Sequence, residues 1–180
     1  MRRLLLLLAL LGTFAAQAQR TPRAAEMSRA AAATDWLTAH LWVREATGNN
    51  DGPFIDALCA EGHVAKRSAW CGLTQRKVQV TLKLPIPNGA AKAANWFLDR
   101  GRAVPRDSIR KGLCAGIFSP ARGEIGHITR VAEVVPPLRK GRPPRGAYCI
   151  GGNEGTGRNA GIHRNLYPLS SIYALSNWLH

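Results

Sequence analysis

Acidic residues are scarce in this chain of 180 residues, which has 11 Asp and Glu against 25 Lys and Arg and a formal net charge of +14. The basic residues are scattered, and the chain has no motif of interleaved aromatic and basic side chains typical of nucleic-acid binding. We therefore expect no nucleic-acid partner. For an exported protein, the matching polyanion is the cell envelope, whose polymers carry carboxylates and phosphates. An ordinary solvated basic surface is the alternative.

Paired metal ligands are also missing. Neither Cys-x-x-Cys nor His-Glu-x-x-His occurs in the sequence, and the histidines show no paired-ligand spacing, so we expect no metal and no cofactor. The chain has four cysteines. If Cys71 is set aside as a reactive thiol, an odd number remains, namely Cys59, Cys114 and Cys149. At most one disulfide can form among these three, and the sequence does not say which.

Long apolar runs are absent after the N-terminus. At the N-terminus itself, Arg2 and Arg3 precede an apolar run at residues 4–11, and Ala-Gln-Ala at residues 16–18 supplies the small side chains that a signal peptidase needs. This pattern predicts a signal peptide at residues 1–18 and a secreted or periplasmic protein. No later run approaches the roughly 20 apolar residues of a membrane-spanning helix, so we expect no transmembrane segment.

The remainder, about 160 residues, suits one domain with its own core. Residues 19–33, rich in Ala and Arg, indicate a flexible lead-in or a frayed helix, and residues 34–180 a folded domain. Helical patterns come first, and residues 71–84 permit a helix or a strand because of their Val and Thr content. Strand signals follow at residues 113–118, 127–135 and 147–150. This order predicts an α+β fold with N-terminal helices packed on a small antiparallel sheet.

Cys71, in Ser68-Ala69-Trp70-Cys71-Gly72-Leu73, is the candidate nucleophile. A thiol attacks a carbonyl as the thiolate, and it loses its proton near neutral pH only beside an imidazole or a helix N-terminus. His127, which lies in a predicted strand, is the candidate base. The alternative is that Cys71 is a buried structural side chain and that His127 is a structural strand residue.

Five short segments follow one another in a recognisable order. They are Arg44-Glu45-Ala46-Thr47-Gly48-Asn49-Asn50 with Pro53, Ala69-Trp70-Cys71, Gly126-His127-Ile128, Gly151-Gly152-Asn153-Glu154-Gly155, and Tyr167-Pro168-Leu169-Ser170. From residue 41 onward the chain thereby resembles the CHAP family (cysteine, histidine-dependent amidohydrolase/peptidase) of phage and bacterial cell-wall enzymes. The resemblance implies a papain-like fold, a Cys71, His127 and Asn153 triad, and a monomeric enzyme that cleaves peptidoglycan in its stem peptide or at its N-acetylmuramoyl-alanine bond.

Two points within the resemblance leave alternatives open. Asn153 stands in a glycine run, where Asn is commonly a turn residue, and Glu154 could orient His127 instead. Gly72 and residues 111–116 depart from the family pattern, which favours an inactive wall-binding module that keeps the cleft without turnover. A small basic secreted binding protein, with Cys71 structural, is the third hypothesis.

Overall fold

The computed structural model describes residues 23–180, so the predicted signal peptide at residues 1–18 lies outside the described residues. Within the described range the helices come first and most of the strands follow. The α-helices are α1 at residues 23–39, α2 at Pro53–Glu61 and α3 at Cys71–Thr81. The strands are β1 at Ala103–Val104, β2 at Cys114–Ser119, β3 at Glu124–Val135, β4 at Gly146–Glu154, β5 at Gly161–Pro168 and β6 at Ile172–Ser176.

The six strands form one antiparallel sheet in the order β1-β6-β2-β3-β4-β5. The α+β class expected from the sequence is confirmed. The predicted strands at residues 113–118, 127–135 and 147–150 correspond to β2, β3 and β4, whereas β5 and β6 carry no apolar pattern strong enough to have been predicted. No helix within residues 23–180 is long and apolar enough to cross a membrane.

Helix α1 starts earlier than the sequence indicated. The flexible lead-in expected at residues 19–33 is, from residue 23 onward, the first part of this helix. Ala30 and Ala33 are buried, and a Cβ added to Gly112 would lie 2.4 Å from the Cβ of Ala30. Small side chains on both sides therefore let α1 pack closely against the segment before β2. The folded domain includes residues 23–33 because of this contact, which replaces the expected boundary at residue 34.

A fully buried arginine joins α3 to the sheet. The guanidinium of Arg130 on β3 donates to Gln75 Oε1 at 2.9 Å, to Gln79 Oε1 at 3.3 Å and to the carbonyl oxygen of Gly112 at 3.0 Å. A buried guanidinium is tolerated only when its N–H groups find acceptors. Residues 71–84, which the sequence left open between helix and strand, thus begin with a helix whose polar side chains face a cation in the sheet.

Strands β3 and β4 separate beside the start of α3. Their ladder reaches Arg130↔Ile150 and goes no further toward the beginning of β3, while the end of β4 stays paired with β5. Gly152, in the separated part of β4, packs on the first turn of α3. A Cβ at this position would lie 2.1 Å from Thr74 Oγ1 and 2.5 Å from the ring of Trp70. The N-terminus of α3 is therefore inserted where the two strands part.

We expect Arg130→Ala to lower the free energy of unfolding by about 3 kcal/mol, because it leaves a cavity and removes the donors that satisfy two buried glutamine oxygens. Urea unfolding followed by circular dichroism measures the change. The exposed Arg122, for which the structure records no side-chain hydrogen bond, serves as the control, and Arg122→Ala should change stability by less than about 0.5 kcal/mol. Equal stability of the two variants would contradict the assigned role of Arg130.

Candidate active site

Cys71 is the first residue of α3, and its position is fixed by its neighbour Trp70. The Trp70 ring is fully buried, and its Nε1–H donates to Glu45 Oε1 at 3.0 Å. Cys71 itself is only 4% exposed. The first N–H groups of a helix have no partner within the helix and carry partial positive charge. The Cys71 sulfur thus lies where a negative charge is favoured.

His127 extends from β3 at the level where it pairs with Ile117 of β2. Its side chain is 22% exposed, and its Nε2 lies 3.3 Å from Oε1 of Glu154, a carboxylate that is almost fully buried. Because Nε2 is directed to the carboxylate, Nδ1 is the ring nitrogen available to the Cys71 thiol. The imidazole therefore contacts a carboxylate, and its pKa responds to the Cys71 thiol, as expected of a base that is itself oriented by a third group.

Cys71 and His127 shift each other's pKa in opposite directions. Burial raises the pKa of the Cys71 thiol, but its hydrogen bond to His127, the imidazolium charge and the backbone N–H groups of Ile128 and Gly72 together lower that pKa below its ordinary value. Burial lowers the pKa of His127, and contacts with Cys71 and Glu154 outweigh it and raise the pKa to about 10. Between these two pKa values the thiolate and the imidazolium coexist, which is the reactive form.

Glu154, and not its neighbour Asn153, is the residue whose side chain contacts His127. Asn153 is half-buried with a φ of 59°, and the structure records no side-chain hydrogen bond for it among the described residues. The register between β4 and β5 shifts between Gly151 and Glu154, as at a β-bulge. This shift accompanies the placement of the Glu154 carboxylate on His127. The structure thus brings Cys71, His127 and Glu154 together, and the catalytic role of Asn153 stays a prediction.

Two residues of β5 complete the surroundings of Glu154. Its second oxygen, Oε2, accepts hydrogen bonds from the Asn165 amide and, at 3.1 Å, from the Tyr167 hydroxyl. Burial, and then the charge of Glu154, raise the pKa of Tyr167 well above its ordinary value, so its hydroxyl stays protonated and able to donate. Sequence reasoning missed both residues as site residues. The one available signal was the Tyr167-Pro168 segment among the family motifs.

The other three cysteines do not share the environment of Cys71. Cys59, Cys114 and Cys149 are free and fully buried. Burial raises the pKa of Cys114 and, together with the charge of Glu154, that of Cys149. Both groups are therefore poor nucleophiles. Across residues 23–180, no three His, Cys, Asp or Glu side chains are grouped so as to hold a metal ion.

Gly72 is explained by packing. A Cβ there would lie 2.3 Å from the carbonyl oxygen of Ala91 and 2.6 Å from that of Ala90. Real Cβ atoms do not approach backbone oxygens so closely, so the first turn of α3 requires glycine at this position.

No protein-family model, no curated protein and no solved structure matches this chain. The CHAP resemblance therefore stays a hypothesis carried by its short motifs. The chemical argument for the site is independent of it, because it depends on the contacts among Cys71, His127 and Glu154.

Iodoacetamide should alkylate Cys71 at pH 6, where an ordinary thiol with a pKa near 8.5 is ionised to less than about 1%. His127→Ala should slow this reaction at least about tenfold, because burial then raises the pKa of Cys71 without an opposing charge. The measurement is the rate of label incorporation at Cys71, followed by mass spectrometry of the intact protein and its peptides.

Cys71→Ser is the control for this experiment and should abolish labelling of the folded protein at pH 6. Cys59 offers the matched comparison, since Cys59→Ser removes an equally buried thiol outside the site and should leave labelling unchanged. If Cys71 were labelled no faster than the buried cysteines at pH 6, the thiolate–imidazolium pair would be disproved.

Proposed function

We propose that this protein is an exported cysteine amidohydrolase of the papain-like CHAP type, and that it hydrolyses amide bonds of peptidoglycan. The observation that carries the proposal is the paired thiol and imidazole of Cys71 and His127 at a helix N-terminus, with the buried Glu154 behind the imidazole. A nucleophile, a base and an orienting group in contact are the minimum for thiol-based acyl transfer. The Cys-His-Asn triad implied by the resemblance becomes, in this proposal, Cys71, His127 and Glu154.

The first half of the reaction forms a thioester. The Cys71 thiolate attacks the amide carbonyl carbon, and the electron pair of the carbonyl moves to its oxygen. The backbone N–H of Cys71, free at the start of α3, stabilises this oxyanion. When the carbonyl re-forms, the carbon–nitrogen bond breaks, and the His127 imidazolium gives its proton to the leaving amine.

The second half of the reaction releases the acyl group. His127, now neutral, takes a proton from water, and the hydroxide attacks the thioester carbonyl. Collapse of the second oxyanion expels Cys71 as thiolate, beside the imidazolium that formed when His127 took the proton from water. Glu154 stays hydrogen-bonded to the His127 ring and orients it in both halves. The net change is one amide and one water converted to a carboxylic acid and an amine.

The hairpin between β3 and β4 supports an anionic polymer as the partner. No Asp or Glu occurs between Glu133 and Glu154, and three exposed cations in the hairpin make neither an ion pair nor a side-chain hydrogen bond within residues 23–180: Arg139, Lys140 and Arg142. A local excess of positive charge attracts a polyanion and raises its rate of encounter with the enzyme. Peptidoglycan, with its carboxylates, fits both this charge and the amide chemistry of the site.

Purified peptidoglycan should be digested by the wild-type protein and left intact by Cys71→Ala and His127→Ala. Glu154→Gln keeps a similar shape but removes the charge behind His127, so we expect kcat to fall by about 10- to 100-fold. Asn153→Ala should have a smaller effect than Glu154→Gln, because Asn153 makes no recorded contact with the imidazole. Chromatography of the released fragments, with assay of new amino groups, measures cleavage and identifies the bond.

Digestion by Cys71→Ala at the wild-type rate would show that the enzyme assignment is wrong. Binding of the wild-type protein to sacculi without any cleavage would instead support the inactive wall-binding module. Correct folding of each variant should be checked by its thermal midpoint, so that loss of activity is not confused with loss of structure.

Binding to sacculi should weaken steeply as salt rises past about 0.15 M, where the screening length is roughly 8 Å. Cleavage of a short soluble stem peptide should change far less, because it depends on the local geometry of Cys71 and His127. Co-sedimentation and peptide hydrolysis measured over the same salt series test the difference.

Replacing the three hairpin cations by Gln should reduce sedimentation with sacculi more than replacing three scattered exposed cations, for which we choose Lys83, Arg100 and Arg122. Both variants lose the same formal charge, so a larger loss for the hairpin variant localises the binding surface. Salt-independent binding would instead indicate that the basic side chains form an ordinary solvated surface and have no role in binding sacculi.

A further inference from the structure

The proposed mechanism uses only one oxygen of Glu154. Oε1 is directed to His127, whereas Oε2 accepts from the Asn165 amide and from the Tyr167 hydroxyl at 3.1 Å. The side chain of Glu154 is 2% exposed, so water contributes little to stabilising its charge. A carboxylate this deeply buried stays ionised only if protein donors or cations replace the lost water. Asn165 and Tyr167 are the donors that the structure provides on that oxygen.

The backbone at Gly151 leaves space for the Glu154 carboxylate. Gly151 has no side chain, and a Cβ added there would lie 2.6 Å from Glu154 Oε1 and 2.8 Å from Thr129 Oγ1. Any other residue at 151 would therefore displace the carboxylate. Asn165 and Tyr167 lie two positions apart on β5, so they share a face of that strand and approach Glu154 from the same side.

We propose that Tyr167, assisted by Asn165, is a positioning residue that holds the Glu154 carboxylate directed at His127. This inference rests on the proposed function for its catalytic meaning. Without the Tyr167 hydroxyl, Oε2 loses a donor, and the carboxylate is free to rotate away from the imidazole. The imidazolium then loses part of its counter-charge, and through it the Cys71 thiolate becomes less stable. Tyr167 acts on the reaction through Glu154 and does not touch the substrate.

The test is Tyr167→Phe, which removes one oxygen atom and keeps the ring. The pH at which alkylation of Cys71 by iodoacetamide reaches half its maximal rate should move upward by roughly 0.5 to 1 unit. For cleavage of the stem peptide, kcat should fall by about tenfold with KM within about twofold of the wild-type value, because the substrate contacts are unchanged. Asn165→Ala should shift both measurements in the same direction.

Tyr148→Phe is the matched control. Tyr148 lies on β4, is half-buried and makes no hydrogen bond through its hydroxyl within the described residues. Removal of this hydroxyl should therefore leave the alkylation profile and the kinetic constants at their wild-type values. If the pH profile of Cys71 alkylation in Tyr167→Phe coincides with the wild-type profile, in protein with a wild-type thermal midpoint, the proposal is overturned. If Tyr167→Phe does not fold, Asn165→Ala at the exposed end of the network decides the question by the same criterion.

The alkylation profile also separates two kinds of failure. It needs no substrate, so it reports on the link from Tyr167 through Glu154 to Cys71 even if the protein cleaves no peptidoglycan. Absence of peptidoglycan cleavage with a shifted alkylation profile would reject the proposed substrate and keep the positioning role. Active wild-type enzyme with an unshifted profile in both Tyr167→Phe and Asn165→Ala would keep the function and reject the positioning role.

Discussion

The insertion of the first turn of α3 between β3 and β4 is the constraint on which the site depends. The ladder between these strands ends at Arg130↔Ile150, and past that pair the strands are free to diverge around Trp70 and Cys71. Arg130 lies at the point of divergence and holds Gln75 of α3 to the sheet. The distance between the sulfur on the helix and the imidazole on the strand is therefore set by packing within the core. A rigid scaffold of this kind suits a reaction that requires the thiol and the ring to stay aligned.

At this site, burial and the pairing of charges shift the pKa values of Cys71 and His127 in opposite directions. Burial alone would keep Cys71 as a neutral thiol and His127 as a neutral ring, because each charged form loses hydration. Pairing reverses both preferences, since the pKa of Cys71 is lowered and that of His127 is raised to about 10. Cys71 contributes most to the raised pKa of His127, and Glu154 adds to it through its hydrogen bond and its negative charge on the far side of the imidazole. The thiolate is thus supported by a carboxylate that it does not touch.

Local patterns in the sequence were enough to predict the α+β class and strands β2, β3 and β4, and to select Cys71 and His127 as candidate site residues. They left open whether Asn153 or Glu154 faces His127, because the choice depends on the register shift at the end of β4 and on the positive φ of Asn153. A shift of one residue exchanges the faces of a strand. Strand β5 could not be predicted from the sequence for another reason. It lies at the edge of the sheet and carries exposed polar side chains, so its apolar alternation is weak.

The departures from the CHAP pattern are better explained by packing than by loss of turnover. Gly72 adjoins the backbone of residues 90–91, and Gly112 lies against Ala30 of α1 with a φ of 90°. Gly116 follows the same rule, since a Cβ there would lie 2.9 Å from the ring of Phe97. Each glycine permits a close approach that holds α3, α1 or the 3₁₀ turn at Ala93–Phe97 near the sheet. Because each close approach excludes a Cβ, packing around α3, α1 and β2 is sufficient to account for these glycines, and their presence is not evidence of lost turnover.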